Sequence, residues 1–288
     1  DEGDEQHQIV EVEHEQSLHM WTISPIFADY SVNVHGNRLI APGHRVSHQD
    51  ITMDTTTLFY GVPSGCSFGS IVALEWLGQP YRLTRIGMPE EVTGEDYRRI
   101  NAVGETPSLL TPNGQVISES MAILNHIGAR GIERGIGFAQ GTAEFDRLNQ
   151  MLAFLNTTFF NSFGPLWHAL EHVSDVQEAA VLREYARAKV VRAHELLEAM
   201  LGDKPWLLGE HKTLADAYFI GIARWTKYHD VVDRRDYPNL QRLFDQLEAD
   251  PAVAFAHAIE KQQPATSAGG FLGEVGLGEM LSKLPLAA

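Results

Sequence analysis

Hydrophobic and polar positions settle into a readable period only from residue 56 onward. Thr56-Thr57-Leu58-Phe59-Tyr60 reads as a β-strand, and Pro63-Ser64-Gly65 breaks it. From Cys66 to Leu77 the apolar residues Ile71, Ala73, Leu74 and Leu77 fall near helical spacing, with Gly78 as the stop. Tyr81 to Ile86 predicts a second strand. Thr106 to Leu110 predicts a third that opens at Pro107, and Gln115 to Ile117 a fourth, joined to it by the turn Pro112-Asn113-Gly114. Ser118-Glu119-Ser120 then starts a helix carrying Met121, Ile123, Leu124 and Ile127 on one side. Strand, helix, strand, hairpin and helix form one small α/β unit.

The rest of the chain changes character twice. Gly131, Gly135, Gly137 and Gly141 mark a linker, placed at 132–142. From Ala143 to about Glu260 the period is helical throughout, with helices expected near 143–160, 175–200, 213–227 and 238–248. The expected organisation is therefore an α/β domain over 53–131, the linker, a helical domain over 143–261 and a tail over 262–288. The tail's Gly, Pro, Ser and Ala predict loose docking. Residues 1–52 lack a sustained period and hold Glu11, Glu13 and Glu15 in alternation, so they read as a peripheral extension. Their histidines (His7, His14, His19, His35, His44 and His48) lack the tight spacing of a metal site, and no metal is expected.

Charge narrows the partners. A formal net charge of −16 over 288 residues excludes the clustered Lys and Arg that nucleic acid or an anionic membrane surface requires. Small molecules and other proteins remain. The chain has 1 cysteine, Cys66, which rules out an intrachain disulfide. There is no run of about 18 apolar residues, and the acidic start is the reverse of a secretory signal, so a cytoplasmic location is expected.

Local chemistry concentrates in two places. Cys66 stands at a predicted helix start, where unpaired N–H groups and the dipole favour a thiolate. Ser120 begins another helix, where a hydroxyl and backbone N–H can bind a carboxylate, and Glu119 beside it can accept from an ammonium.

The ordered landmarks resemble the glutathione transferase superfamily, nearest its bacterial beta class. Leu58-Phe59-Tyr60-Gly61-Val62-Pro63-Ser64-Gly65-Cys66-Ser67 resembles the first strand and active-site turn. Asn101-Ala102-Val103-Gly104-Glu105-Thr106-Pro107-Ser108-Leu109 resembles the segment that carries a cis-proline. Glu119-Ser120 resembles the pair holding the γ-glutamyl end of glutathione. Thr213-Leu214-Ala215-Asp216-Ala217 resembles a buried capping box, and Tyr237-Pro238-Asn239-Leu240 and Asp250-Pro251-Ala252-Val253 follow in order. The match spans about 56–260.

The resemblance implies a thioredoxin-like N-terminal domain followed by an all-helical C-terminal domain. It implies an enzyme that binds glutathione as a thiolate and conjugates it to a hydrophobic electrophile or displaces a leaving group. Glutathione-dependent thiol–disulfide exchange through Cys66 is the second reaction type, with a role in detoxification implied. Cys66, Ser67 and Ser64 are the implied catalytic residues, without a choice among them. Thr106, Pro107, Glu119, Ser120 and Asn161 are implied for glutathione, and Phe159, Phe160 and Trp167 for the electrophile groove. A homodimer is implied as well. The chain departs from the family where beta-class members carry a His-Lys pair: Phe160 and Asn161 occupy those positions. That departure keeps open a second reading, a non-catalytic transferase-like ligand-binding or protein-interaction module. The identity of the second substrate is not written in the sequence.

Overall fold

The computed structural model describes residues 55–283; the histidine-bearing leader lies outside them. The sheet order is β4-β3-β1-β2-β5. Strand β1 (Thr56–Val62) runs parallel to β2 (Tyr81–Gly87) and antiparallel to β3 (Ser108–Leu110). Strand β4 (Val116–Ser118) continues the sheet antiparallel to β3 in the register Ser108↔Ser118. Both faces of β1 are covered, which is why its apolar run is continuous: Leu58 and Tyr60 enter one core and Phe59 the other.

Every residue of α1 (Phe68–Leu77) is buried between the sheet and the helical layer. Its neighbours are α3 (Ser120–Arg130), α7 (Leu214–Ala223) and α10 (Pro251–Glu260). Two glycines set the closeness of α1 and α7. A Cβ on Gly69 would lie 2.4 Å from the Ala217 carbonyl oxygen, and one on Gly221 would lie 2.9 Å from the Gly69 nitrogen. The two helices touch backbone to backbone at the junction of the α/β and helical layers.

The helical layer is more broken than its period suggests. The predicted first long helix splits into α4 (Ala143–Phe154) and a π turn over Leu155–Phe160, and α5 (Gly164–His172) starts at the Gly164-Pro165 break. Helix α6 (Val176–Leu201) starts on Asp175, whose carboxylate accepts from the Gln177 and Glu178 N–H groups. The predicted 213–227 helix is α7 followed by α8 (Trp225–His229), with Arg224 at the joint. Helix α9 (Pro238–Glu248) and α10 complete the layer. The buried capping box is present: Thr213 N–H donates to Asp216 Oδ2 at 2.8 Å and Leu207 N–H to Oδ1 at 2.9 Å. Burial pushes the Asp216 carboxyl up to about 6, against the pull of those donors. Among the described residues no helix is long and apolar enough to cross a membrane.

The tail overturns the expectation of loose docking. Residues 271–274 form β5 (Phe271–Glu274), which adds parallel to β2 in the register Tyr81↔Phe271, and α11 (Leu277–Lys283) follows. A four-residue strand with no clean alternation is hard to see in sequence. It is held from outside itself: the buried Glu75 carboxylate of α1 accepts from Ser267 Oγ at 2.7 Å and from the Ala268 and Gly269 N–H groups at 3.1 Å each. Leu277, Met280 and Leu281 then bury against Phe59, Ile86 and Tyr97 on the second face of the sheet. At roughly 1.5–3 kcal/mol for each buried side chain, this anchors a helix too short to persist alone. Helix α11 packs on α2 (Glu95–Arg98), so the tail belongs to the α/β layer.

Candidate functional site

The turn between β1 and α1 is the centre of the site. Val62–Pro63 is cis, Ser64 has φ 55°, and a Cβ on Gly65 would meet the Gly61 carbonyl oxygen at 2.4 Å. Only glycine fits at 65. Ser67, wholly buried, accepts from Gly61 N–H at 3.0 Å and ties the turn back to its strand. The helical layer holds the turn from the other side: Trp225 Nε1–H donates to the Ser64 carbonyl at 2.9 Å and Arg224 Nη2–H to the Gly65 carbonyl at 2.7 Å.

Cys66 is therefore presented on a turn fixed at both ends, half-buried, with its S–H donating to the Thr106 carbonyl at 3.1 Å. The sequence expectation of a thiolate at a helix start does not describe this state. Burial pushes the thiol up to about 11, and the Ser120 hydroxyl and Arg224 pull it down by less. Several nearby N–H groups are spent locally, Ser70 and Ile71 N–H on the Ser67 carbonyl and Phe68 N–H on that of Gly65, while the Cys66 N–H still favours the anion. Desolvation outweighs the helix end.

Thr106–Pro107 is cis. Among the described residues the Thr106 N–H donates to no protein group, while its carbonyl accepts from the Cys66 thiol, so no strand pairs with this stretch of backbone. The loop is propped from behind by Tyr97, whose hydroxyl donates to the Glu105 carbonyl at 3.0 Å and lies 2.9 Å from Ser108 Oγ. Glu119, exposed, caps α3 at φ 71°, ψ 123°, a conformation that non-glycine residues hold only when their surroundings impose it. Ser120 follows, buried, at the first position of α3 and beside Cys66.

The structure thus brings Cys66 against Thr106 and Ser120, with Pro107 and Glu119 next to these in the chain, and the surface they share is the candidate cleft. Ser64 and Ser67 flank Cys66 in the turn without touching its thiol. Neither hydroxyl bonds to Cys66; one residue offers its carbonyl to Trp225 and the other its oxygen to Gly61. Asn161 ends the π turn exposed and makes no hydrogen bond to the Cys66 turn. Asn156, on the same turn, connects to the site through a tyrosine: its Oδ1 accepts from Tyr218 O–H at 2.7 Å, and Tyr218 lies beside Ser120. Burial holds that phenol protonated well above its ordinary range.

The apolar wall also differs from expectation. Phe159 is fully buried against Phe163, His194 and Phe219, a core residue and not a groove residue. Phe160 and Trp167 are half-buried and meet Trp225 at ring distances of 5.3 and 5.2 Å. Tyr228, half exposed, stacks on Trp167 at 5.1 Å and extends the wall outward. Sequence reasoning missed Tyr228 and Arg224, because nothing local separates a site-facing aromatic or arginine from an ordinary surface one. Among the described residues no three His, Cys, Asp or Glu are grouped to hold a metal. A large hollow lined by Arg183, Lys227 and Asp233 shares no residue with the Cys66 cleft.

Known proteins agree with this architecture. Residues 63–130 match the family described as glutathione S-transferase, N-terminal domain, and residues 151–251 match glutathione S-transferase, C-terminal domain. Glutathione S-transferase GST-4.5 of Xanthomonas campestris pv. campestris is 30% identical over 205 residues, covering 70% of this chain and 97% of that one. The glutathione S-transferase from Xylella fastidiosa superposes with a TM-score of 0.65 at 27% identity, over 72% of this chain and 98% of that chain. A sphingomonad glutathione S-transferase complexed with glutathione gives 0.63 at 26% identity, over 71% and 98%. With both halves matched in order and a relative 30% identical over 70% of its length, the chain belongs to the glutathione S-transferase family.

Proposed function

We propose that the cleft between the β1–α1 turn and the π turn binds glutathione and activates its thiol for conjugation to a hydrophobic, aromatic electrophile. The observation that carries the reading is the Thr106 carbonyl. In the free protein it is taken by the Cys66 thiol, and the backbone around it is the open edge that a peptide ligand pairs with. Glutathione takes that edge with its cysteinyl part. Ser120 meets the γ-glutamyl carboxylate and Glu119 its ammonium.

Cys66 then serves as a donor. A thiol pushed up to about 11 is protonated at neutral pH and stabilises a neighbouring sulfur anion by hydrogen bonding. The glutathione thiol loses its proton to solvent, and its sulfur attacks the electrophile, whose leaving group departs with the bonding pair. This favours conjugation over disulfide exchange, which needs Cys66 itself as a thiolate. The aromatic wall of Phe160, Trp167, Trp225 and Tyr228 fits a planar apolar substrate. The gathered cleft also favours the catalytic reading over a non-catalytic module. Family membership supports a homodimer working in the cytoplasm, which light scattering on the purified chain and fractionation of the source cells test.

The decisive test is calorimetric titration of glutathione into wild type and Cys66→Ala, with aryl-halide conjugation and disulfide-reduction assays on both. Binding by both proteins, with conjugation reduced and not abolished in Cys66→Ala, is expected. Alkylation of Cys66 by iodoacetamide is expected to stay slow at neutral pH and to rise steeply as the pH approaches 11. No glutathione binding by wild type at millimolar ligand, or fast alkylation at pH 7, overturns the reading.

A further inference from the structure

The C-terminal segment 262–283 lies past the region that matches the family, which ends at residue 251, yet it is docked on the sheet by hydrogen bonds and buried side chains. Its polar contacts lead back to the catalytic turn. Tyr60, fully buried in β1, donates its phenolic proton to the carboxylate of Glu274 on β5. The Tyr60 oxygen in turn accepts from Arg85 Nη1 at 3.1 Å. Arg85 continues inward, donating to the Ile259 carbonyl at 3.3 Å and, through Nη2, to the Glu260 carbonyl at 3.0 Å. Glu260 ends α10, and its carboxylate takes both arms of Arg224, at 2.5 and 2.9 Å. That ion pair is almost buried, with side-chain exposures of 13% and 11%. Arg224 finally donates to the Gly65 carbonyl at 2.7 Å, one residue before Cys66, with its guanidinium 4.2 Å from the centre of the Phe68 ring.

Each link suits its place. A planar guanidinium can satisfy a carboxylate with two parallel bonds and still reach a carbonyl with the same arm. A lysine there keeps the charge and loses the fork. Gly65 has no side chain to fix its orientation and sits between Ser64 at positive φ and the half-buried thiol. Its carbonyl is therefore aimed by its donors, of which Arg224 at 2.7 Å is the close one and Phe68 N–H at 3.4 Å the distant one. The Glu260 carboxylate fixes Arg224, and the Glu260 backbone is fixed by Arg85, which Tyr60 and, through Glu274, the added strand hold in turn.

We propose that Arg224 is a positioning residue of the glutathione site, orienting the Cys66 turn, and that the C-terminal strand sets its orientation through Glu274, Tyr60, Arg85 and Glu260. The proposal rests on the assignment of the Cys66 cleft to glutathione. Its consequence is that the hydroxyl of Tyr60, a fully buried residue of β1, tunes catalysis from outside the Cys66 turn. Glu274 is exposed, so water competes at that outermost link, and Tyr60 and Arg224 carry the coupling.

The test is a double-mutant cycle on the full-length chain with Tyr60→Phe and Arg224→Lys, read as kcat and KM for glutathione beside melting temperature. Arg224→Lys is expected to lower kcat/KM about tenfold, the size of one lost charge-assisted bond, and Tyr60→Phe about threefold, because its loss reaches the turn only through Arg85 and Glu260. The double variant is expected to be no worse than Arg224→Lys alone, because both changes cut one path. Glutathione titration of wild type comes first. No binding there sinks the assignment of the cleft; normal binding lets the cycle judge the coupling by itself. A fall in melting temperature with kcat/KM within twofold of wild type in both single variants overturns the proposal, as do effects that multiply in the double variant. Should Arg224→Lys fail to fold, Tyr60→Phe carries the test alone, since it only removes one oxygen from a buried ring. A loss of kcat/KM then supports the path and wild-type kinetics refute it.

Discussion

Replacing Gly69 by alanine tests the claim that backbone contact between α1 and α7 builds the junction. The added Cβ would lie 2.4 Å from the Ala217 carbonyl oxygen and 3.1 Å from both the Ala217 carbonyl carbon and Tyr218 Cα, whereas real Cβ atoms essentially never come within 3.0 Å. All three neighbours are main-chain atoms of a fully buried helix, so no flexible side chain can swing aside. The helices must separate. Overpacking of this kind costs about 1–3 kcal/mol, and the absence of a soft neighbour places Gly69→Ala at about 3 kcal/mol. For a chain of this size each kcal/mol lowers the melting temperature by about 2–4 °C, so a fall of roughly 6–12 °C is expected by scanning calorimetry. Gly278, in α11, is the control: nothing lies within 4 Å of its Cβ direction. There the same substitution reduces only the freedom of the unfolded chain and is expected to stabilise by about 0.5–1 kcal/mol. Equal small effects at the two positions would refute the argument, because helix propensity alone would then account for both. The same variant reports on the site. Separating α1 from α7 moves the helix that begins just past Cys66, so Gly69→Ala is also expected to raise KM for glutathione.

Two further outcomes follow from single residues. Trp225→Phe keeps the aromatic wall and removes the bond to the Ser64 carbonyl, so kcat/KM for an aryl halide is expected to fall about tenfold, with a stability loss near 1 kcal/mol; unchanged kinetics would show that Arg224 alone holds the turn. His194 lies buried among Phe159, Phe163 and Tyr237, and burial lowers it from 6.5 to about 4. Because the unfolded chain binds the proton first, stability is expected to fall by up to roughly 3 kcal/mol as pH drops from 6.5 to 4. Asp216, pushed up to about 6, works in the opposite direction over part of that window. Melting curves of His194→Phe against pH are expected to show a shallower acid slope than wild type, and an unchanged slope would clear His194 of the effect.

What the sequence made legible and what it hid divide along a physical line. The first strand, its helix and the hairpin are local events written by alternation, a glycine stop and a turn sequence, and they appear where those signals predict. The neighbourhood of Cys66, Thr106 and Ser120 was legible because each sits at an element boundary, where a short motif fixes the backbone. Phe159 and Phe160 were not separable in advance. They are adjacent aromatics on one turn, and the π turn decides which enters the core and which meets Trp225. Arg224 was invisible for a related reason, since its partners Gly65 and Glu260 are distant in sequence and meet only when the α/β and helical layers close. The tail misled through composition. Two of its glycines mark close approach, not freedom: a Cβ on Gly269 would stand 2.4 Å from the backbone of Glu75 and one on Gly270 2.8 Å from the Gln79 carbonyl oxygen.

The tail and the thiol also bear on each other. A site that works by a protonated Cys66 needs that thiol desolvated, and desolvation needs a turn that does not open to water. Ser67, Trp225 and Arg224 hold the turn shut from three directions. Of these, Arg224 is the one whose own geometry depends on a charged partner, so it is the one that a distant segment can adjust. A neutral thiol held this way is a poor redox nucleophile and a good hydrogen-bond donor. The residues that fix the turn therefore bear on which reaction the enzyme performs as well as on how fast it runs: loosening the turn should admit water, lower the Cys66 thiol toward its ordinary range and shift the balance from conjugation toward disulfide exchange.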